Sequence, residues 1–504
     1  LSMRLFGVGN FGYKLPSILF ALWAIYATYR LARSLYNEET GRMAALILAS
    51  CQGMFLMTND VRCDTILMSC VVSALWCIQE WSVTRRLGWL AGGAAWIALG
   101  MMTKGPIALM VPVFCFGTQW VLQRQWKNIF YPGHILALIV IAVLLVPMSI
   151  GLYQQFDMQP DKLVNGQTGV SGLRFFYWSQ SFGRITGESP WNNGAGMDFL
   201  LLNMLWSFLP WIFIFITGLI TGIVQLVGNK LRPAAGQELV TMGGFVLAYL
   251  ALGSSAYQLP HYIFVAFPLA AIITAQFIAA MMTGAVSPRF LKIIQPTHTV
   301  ISFLLLLAVL LIITWVFPAG WWVVLLWVAG AAGWLWCALS RKFAGKVLWL
   351  PAIAIIIVNF FFTNFFYYPL LQYQVGSAVG HNATQWGIDV AQLRVMDIDD
   401  PVNALHFYAG RQVPSADLPT QLSAGQYVLA GNTGIEKIMG GPFTVVDSNG
   451  QEQIVAITNT GTTQPLPVIH RGVFYKVSEL TPDFMNPNTR AKVVKPYYVV
   501  QMPK

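Results

Sequence analysis

The length of its apolar runs constrains this chain more than any other feature. Crossing the hydrocarbon core of a bilayer takes about 20 helical residues, somewhat fewer where flanking side chains snorkel. Twelve runs meet or approach that length, near 15–34, 42–58, 64–80, 88–103, 105–122, 134–153, 199–225, 239–256, 260–282, 298–317, 320–340 and 346–367. Only 10% of the residues are charged, where soluble domains carry about 25%. A polytopic α-helical membrane protein of about 12 spans is therefore expected. The net charge of +10 then reads as basic loops facing anionic lipid, and nucleic acid is not expected as a partner. All six cysteines lie in or beside apolar runs, so no disulfide framework is indicated, and Cys63 and Cys70 lack the spacing and the histidine partners of a zinc site.

Lysine and arginine recur in every second loop: Arg33 and Arg42, Arg85 and Arg86, Arg124 and Lys127, Lys230 and Arg232, Arg289 and Lys292, then Arg341, Lys342 and Lys346. The positive-inside rule makes these loops cytoplasmic. The 58–64 turn, Lys104, the long 154–198 loop, the 254–262 turn and everything after 367 then face outward. Two domains are expected: 1–367, a membrane domain with outer loop 154–198, and 368–504, a small outer α/β or α+β domain. In the latter, alternating runs at 404–410, 425–431, 443–448, 452–458 and 472–477 read as strands, with helix around 376–395. There is no internal repeat of the kind that marks many transporters.

Four polar clusters interrupt the outer face. The first is TNDVRCDTILMSC at 58–70, with Asp60, Arg62 and Asp64. A carboxylate at a helix start caps free N–H groups, and this alone explains Asp64 about half the time. Otherwise Asp64 holds a sugar hydroxyl, orients a cation or helps bind a metal, and Arg62 pairs with either acid or snorkels. The second is GMMTKGPIALMVP at 100–112, where Lys104 stands on the face that disfavours it. It meets either lipid phosphate or a substrate's phosphate. The third is SSAYQLPHYIFVAFP at 254–268. Tyr257 and Tyr262 fit an interfacial aromatic belt, and His261 could bind a metal, neutralise phosphate or bond a sugar. The fourth is RFFYWSQSFGRITGESPWNN at 174–193, with Arg174, Arg184, Glu188, Trp178 and Trp191. Arginine grips phosphate and aromatic faces stack on sugar rings, while an interfacial helix is the plainer reading. Together the clusters imply an amphiphilic substrate: a phosphate, a group that stacks and a lipid tail.

The order of VRCDTIL (61–67), MTKGPIAL (102–109), SFGRITG (181–187), WSFLPWIF (206–213) and SAYQLPHYIF (255–264) resembles the GT-C membrane glycosyltransferases. The branch it resembles holds the aminoarabinose lipid A transferases and the bacterial relatives of protein O-mannosyltransferases. ALHFYAGRQVP (404–414) resembles the start of that branch's periplasmic domain. The resemblance implies an inverting transferase in the bacterial inner membrane, multi-pass, with its site and C-terminal domain in the periplasm. It would move a sugar from an undecaprenyl- or other polyprenyl-phosphate donor to lipid A or another envelope acceptor. No nucleotide is implied, and a divalent metal ion could share the work at His261. Asp64 matches a family acid that orients sugar or acceptor. Lys104, Arg184, Arg62, Tyr257 and Tyr262 match positions that meet donor phosphate, and Trp178 and Trp191 are the stacking candidates. The family usually begins with one more span and an outer loop bearing its main acid, so the chain is expected to be N-terminally incomplete. A protein O-glycosyltransferase, a lipid transporter or flippase, and a catalytically incomplete scaffold are the other readings.

Overall fold

A computed structural model describes residues 2–164, 166–188, 191–234, 237–399, 402–448, 450–457, 464–477 and 480–503. Two expectations fall partly outside these: Ser189 and Pro190 of the 174–193 loop, and Thr458 at the end of the 452–458 run.

The chain divides into two compact units, 1–305 with 332–359, and 306–331 with 360–504. The first is helical: α1 Asn10–Leu35, α2 Glu38–Ser50, α3 Gln52–Asn59, α4 Cys63–Thr84, α5 Leu87–Lys104, α6 Ile107–Leu122, α7 Gly133–Leu152, α8 Phe199–Ser207, α9 Ile212–Gly228, α10 Val240–Gly253 and α11 Phe267–Met282. Every apolar run of the sequence is helical, but not every run is one straight span. Among the described residues of the whole chain, seven helical stretches are long and apolar enough to cross a membrane, or eight if the bent pair α2–α3 is one span. Three apolar helices, α6, α9 and α10, are shorter.

The breaks have local causes. Cys51 adopts extended backbone and bends α2 from α3 by 56°. The FLPW stretch interrupts 199–225, because Pro210 cannot donate to the helical ladder. The two breaks meet: Gln52 N donates to Leu209 O at 3.0 Å, and Trp211 Nε1 donates to Ser50 Oγ at 3.0 Å. Backbone groups freed by each interruption thus find partners in the other, as an apolar surrounding requires.

Helices α4 and α11 are central. In their most apolar windows 78% and 83% of residues are buried, against 11% for the stretch containing α7, which faces outward as a lipid-exposed span does. Lipid tails are as apolar as leucine, so close helix approach rests on small residues. A Cβ on Gly243 would overlap Thr118, and one on Gly244 would overlap Cys115, so α10 lies backbone-close to α6.

The second unit carries a six-stranded mixed sheet: β1 Leu393–Met396, β2 Tyr427–Gly431, β3 Phe443–Ser448, β4 Gln451–Ala456, β5 Leu466–Phe474 and β6 Lys495–Gln501. The order is β1-β2-β6-β5-β4-β3, with β1 and β2 parallel and the other pairs antiparallel. Alternation along the strands builds two cores. Val428, Ala430, Tyr498 and Val500 bury on one face, Leu429, Tyr497 and Val499 on the other. The expected strand at 404–410 is instead the helix Asn403–Tyr408, ended by Gly410 at φ 63°. Expected helix around 376–395 stops at Asn382, and the chain enters β1. Strands β1 and β6 were not anticipated. Within this unit Arg490 lies over the Phe317 ring at 4.4 Å and donates to Val316 O at 2.7 Å.

Gly244→Leu is expected to lower stability in detergent by about 1–3 kcal/mol, through overpacking of α6 against α10. Gly88→Ala, where a Cβ would meet nothing within 4 Å, is expected to change it little. Thermal unfolding followed by circular dichroism checks both.

Candidate active site

Helix α4 begins beside Asp64 and runs to Arg85; α5 starts after Arg86 and returns to Lys104. Asp64 and Lys104 therefore share one end of the bundle, and the arginines share the other. Gly105, at φ 77°, reverses the chain, and Pro106 precedes α6. A Cβ at Gly105 would lie 3.1 Å from Phe176 O, so glycine lets the 174–188 segment close over the reversal. That segment is pinned at its start by Asp157, which accepts from Gly172 N at 3.0 Å and from Ser171 Oγ at 2.5 Å. Tyr177 Oη bonds Ser149 Oγ of α7 at 2.8 Å.

Asp64 is the buried centre, with 4% of its side chain exposed. Lys104 Nζ donates to Asp64 Oδ1 at 2.5 Å, and His261 Nε2 lies 3.7 Å from Asp64 Oδ2. Arg62 pairs with Asp60 and places Nη1 3.3 Å from His261 Nδ1. Asp64 stands in the first turn of α4, where a carboxylate also suits the positive end of the helix dipole. A carboxylate out of water needs a charge partner, and Lys104 supplies it.

Tyr262 joins this pair to Arg184. Lys104 Nζ stands 4.1 Å from the Tyr262 ring centre, and Arg184 Nη1 donates to Tyr262 Oη at 2.7 Å. The guanidinium also lies 5.4 Å from the Trp191 ring and 5.2 Å from that of Tyr257. Among the described residues its buried Nε has no hydrogen-bond partner and no carboxylate pairs with Arg184. Lys104, Arg184 and Tyr262 line one cavity, together with Gln180, Ser181 and apolar side chains such as Leu67. The cavity thus holds a cation without a counter-charge, which suits an anion.

Of the residues singled out in the sequence, Asp64, Lys104, His261, Tyr262, Arg184, Tyr257 and Trp191 form this connected set, with Arg62 at its edge. Trp178 does not line the cavity: it is exposed, donates to Glu188 at 3.1 Å and stacks on Phe182, which does. Asp64 and His261 offer only two donors for a metal, beside two cations. Among the described residues no three His, Cys, Asp or Glu side chains converge on one point. Two donors beside two cations are a poor set for a divalent ion. Sequence reasoning missed Gln180 and Ser181 in the cavity wall, and Asn193 and Gln258 beside it. The amides lie inside or beside quoted motifs, but nothing in their type marks them among other polar residues.

Lys104→Met should leave Asp64 uncompensated and cost roughly 3 kcal/mol or less, the lysine being partly exposed. Asp64→Asn added to it should restore most of the loss, as measured by a double-mutant cycle in thermal unfolding.

Comparison with known proteins places the chain. The family model for dolichyl-phosphate-mannose-protein mannosyltransferases matches residues 1–150. The undecaprenyl phosphate-alpha-4-amino-4-deoxy-L-arabinose arabinosyl transferase of Edwardsiella ictaluri is 25% identical over 286 residues, which is 55% of this chain and 48% of that protein. The enzyme of the same name from Erwinia tasmaniensis is 26% identical over 61% of this chain and 53% of its own length. The chain spans about half the length of these curated relatives. The crystal structure of ArnT from Cupriavidus metallidurans bound to undecaprenyl phosphate superposes with a TM-score of 0.64 at 16% identity, covering 91% of this chain and 86% of that one. The resemblance seen in the motifs is thus borne out: this is a polytopic membrane chain with the fold of the GT-C glycosyltransferases, similar in sequence to the aminoarabinose transferases among them.

Proposed function

We propose that the chain acts as an inverting glycosyltransferase, taking a sugar from undecaprenyl phosphate or a related polyprenyl phosphate. The observation that carries this is the pairing of Lys104 with a charge-unmatched Arg184 on one cavity, at one end of an apolar bundle. A lipid-linked phosphate reaches such a site from the bilayer. The basic loops at the opposite end support an outward, periplasmic cavity in a bacterial inner membrane.

In the reaction an acceptor oxygen attacks the anomeric carbon from the face opposite the phosphate. The bond from that carbon to the phosphate oxygen breaks, and its electron pair stays on the phosphate. Negative charge grows there, where Lys104 and Arg184 stabilise it. Tyr262 accepts from Arg184 and keeps its own hydroxyl hydrogen to donate to the same phosphate. Asp64 holds Lys104 aimed at the cavity. Trp191 and Tyr257 stand within cation–π distance of the guanidinium and steady it. Aminoarabinose is the sugar in the names of the relatives; lipid A is the acceptor favoured here. A phosphate acceptor on lipid A is already ionised and needs no base.

In proteoliposomes with radiolabelled undecaprenyl-phosphate aminoarabinose, Lys104→Ala and Arg184→Ala are each expected to lower transfer by about 100-fold or more. Parallel reactions with lipid A and with a serine-rich peptide identify the acceptor. Full transfer by both variants would remove these residues from the mechanism.

A further inference from the structure

The segment carrying Arg184 is joined to the 254–262 turn by amide contacts that the transfer chemistry does not use. Gln258 is fully buried. Its Nε2 lies 2.7 Å from Gly253 O, 3.1 Å from Ser255 O, 3.2 Å from Gly196 O and 3.3 Å from Ala195 O. Two N–H groups thus serve four carbonyls drawn from two chain segments. Only a donor fits at that point, so the side chain is an amide and not a carboxylate or a hydrocarbon.

Asn193 holds the same residue by its backbone. Its Nδ2 donates to Gln258 O at 2.6 Å, and its Oδ1 accepts from Gln258 N at 3.2 Å. One side-chain amide therefore satisfies both backbone groups of one residue, as a paired strand would. Asn193 N adds a bond to Ala256 O at 3.3 Å, and Ala256 N donates to Arg184 O at 3.0 Å. The backbone of Arg184 is thus bonded to the three-residue stretch 256–258 that Asn193 and Gln258 fix. Tyr257 and, beyond it, Tyr262 then receive the guanidinium.

We infer that Asn193 and Gln258 are positioning residues that clamp the Arg184 segment onto the 254–262 turn and so set where the second phosphate-binding cation stands. The functional part rests on the reading of Arg184 given above; the structural part rests on the hydrogen bonds alone. The clamp matters because a displacement of about 1 Å at a charged contact can cost about 100-fold in rate. Gln258→Glu changes almost no volume but sets an acceptor against four carbonyls. Asn193→Ala removes the backbone mimic and serves where the first variant does not fold.

Two measurements on the full-length chain in detergent test this. The first is hydrogen exchange at the Ala256 amide, which reports its bond to Arg184 without any ligand. It is expected to quicken about tenfold in either variant, and unchanged exchange in a folded variant would overturn the clamp. The second is binding of undecaprenyl phosphate in a double-mutant cycle. Either variant is expected to weaken binding about tenfold when Arg184 is present and to have no effect in an Arg184→Ala background. Equal losses in both backgrounds would mean that the amides act on the fold and not through Arg184, and would overturn the positioning role. If the unaltered chain does not bind undecaprenyl phosphate, the donor reading fails, and exchange at Ala256 alone decides the clamp.

Discussion

The ion pair between Asp64 and Lys104 is the constraint on which the site depends. Both residues stand at the end of an apolar bundle, where a lone charge is costly and a paired one is held in a narrow range of positions. The pair links the start of α4 to the end of α5, 40 residues apart. His261 and Arg62 then gather around the carboxylate, and Tyr262 lies against the ammonium. Asp64 neutralises Lys104 in the resting site, while Arg184 remains unmatched. The net excess of positive charge at the cavity therefore comes from the loop side, and an anionic ligand completes the balance.

The scaffold makes this possible by ending helices where the chemistry needs them. Gly105 and Pro106 reverse the chain directly after Lys104. The breaks at Cys51 and Pro210 shorten two long apolar runs, and each answers the other's freed backbone groups. Interrupted helices are tolerated inside a membrane only when such partners exist. The close packing of Gly243 and Gly244 on α6 serves the same economy of space, since small residues replace the hydrophobic drive that lipid removes.

Much of the fold could be read from the sequence. Apolar length marks the helical runs, and in the first unit Asp64 and Lys104 stand at one end of their helix pair. The breaks within runs were harder, because Cys51 carries no breaker signature and Pro210 lies in a stretch that stays apolar. In the sheet, β6 is buried on both faces from Tyr497 to Val500, so its sequence shows no apolar–polar alternation. ALHFYAG alternates over too short a span to exclude the helix it forms. Of the site, Asp64, Lys104, Tyr262 and Arg184 were visible as members of the four polar clusters, Lys104 on the face that disfavours it. Their pairing was not visible, since nothing in the sequence says which outer turns touch. Asp64 was open between helix cap and partner of a cation, and in the structure it pairs with a lysine. Gln258 and Asn193 stayed hidden because an amide's work lies in which carbonyls it reaches.

The central claim is that Lys104 and Arg184 grip one phosphate. Its most direct test is an experimental structure of this chain with undecaprenyl phosphate bound. The account predicts phosphate oxygens within hydrogen-bond distance of Lys104 Nζ, the Arg184 guanidinium and Tyr262 Oη, with the polyprenyl chain leading into lipid. A phosphate seated elsewhere, with the Lys104–Arg184 cavity unchanged, would contradict it.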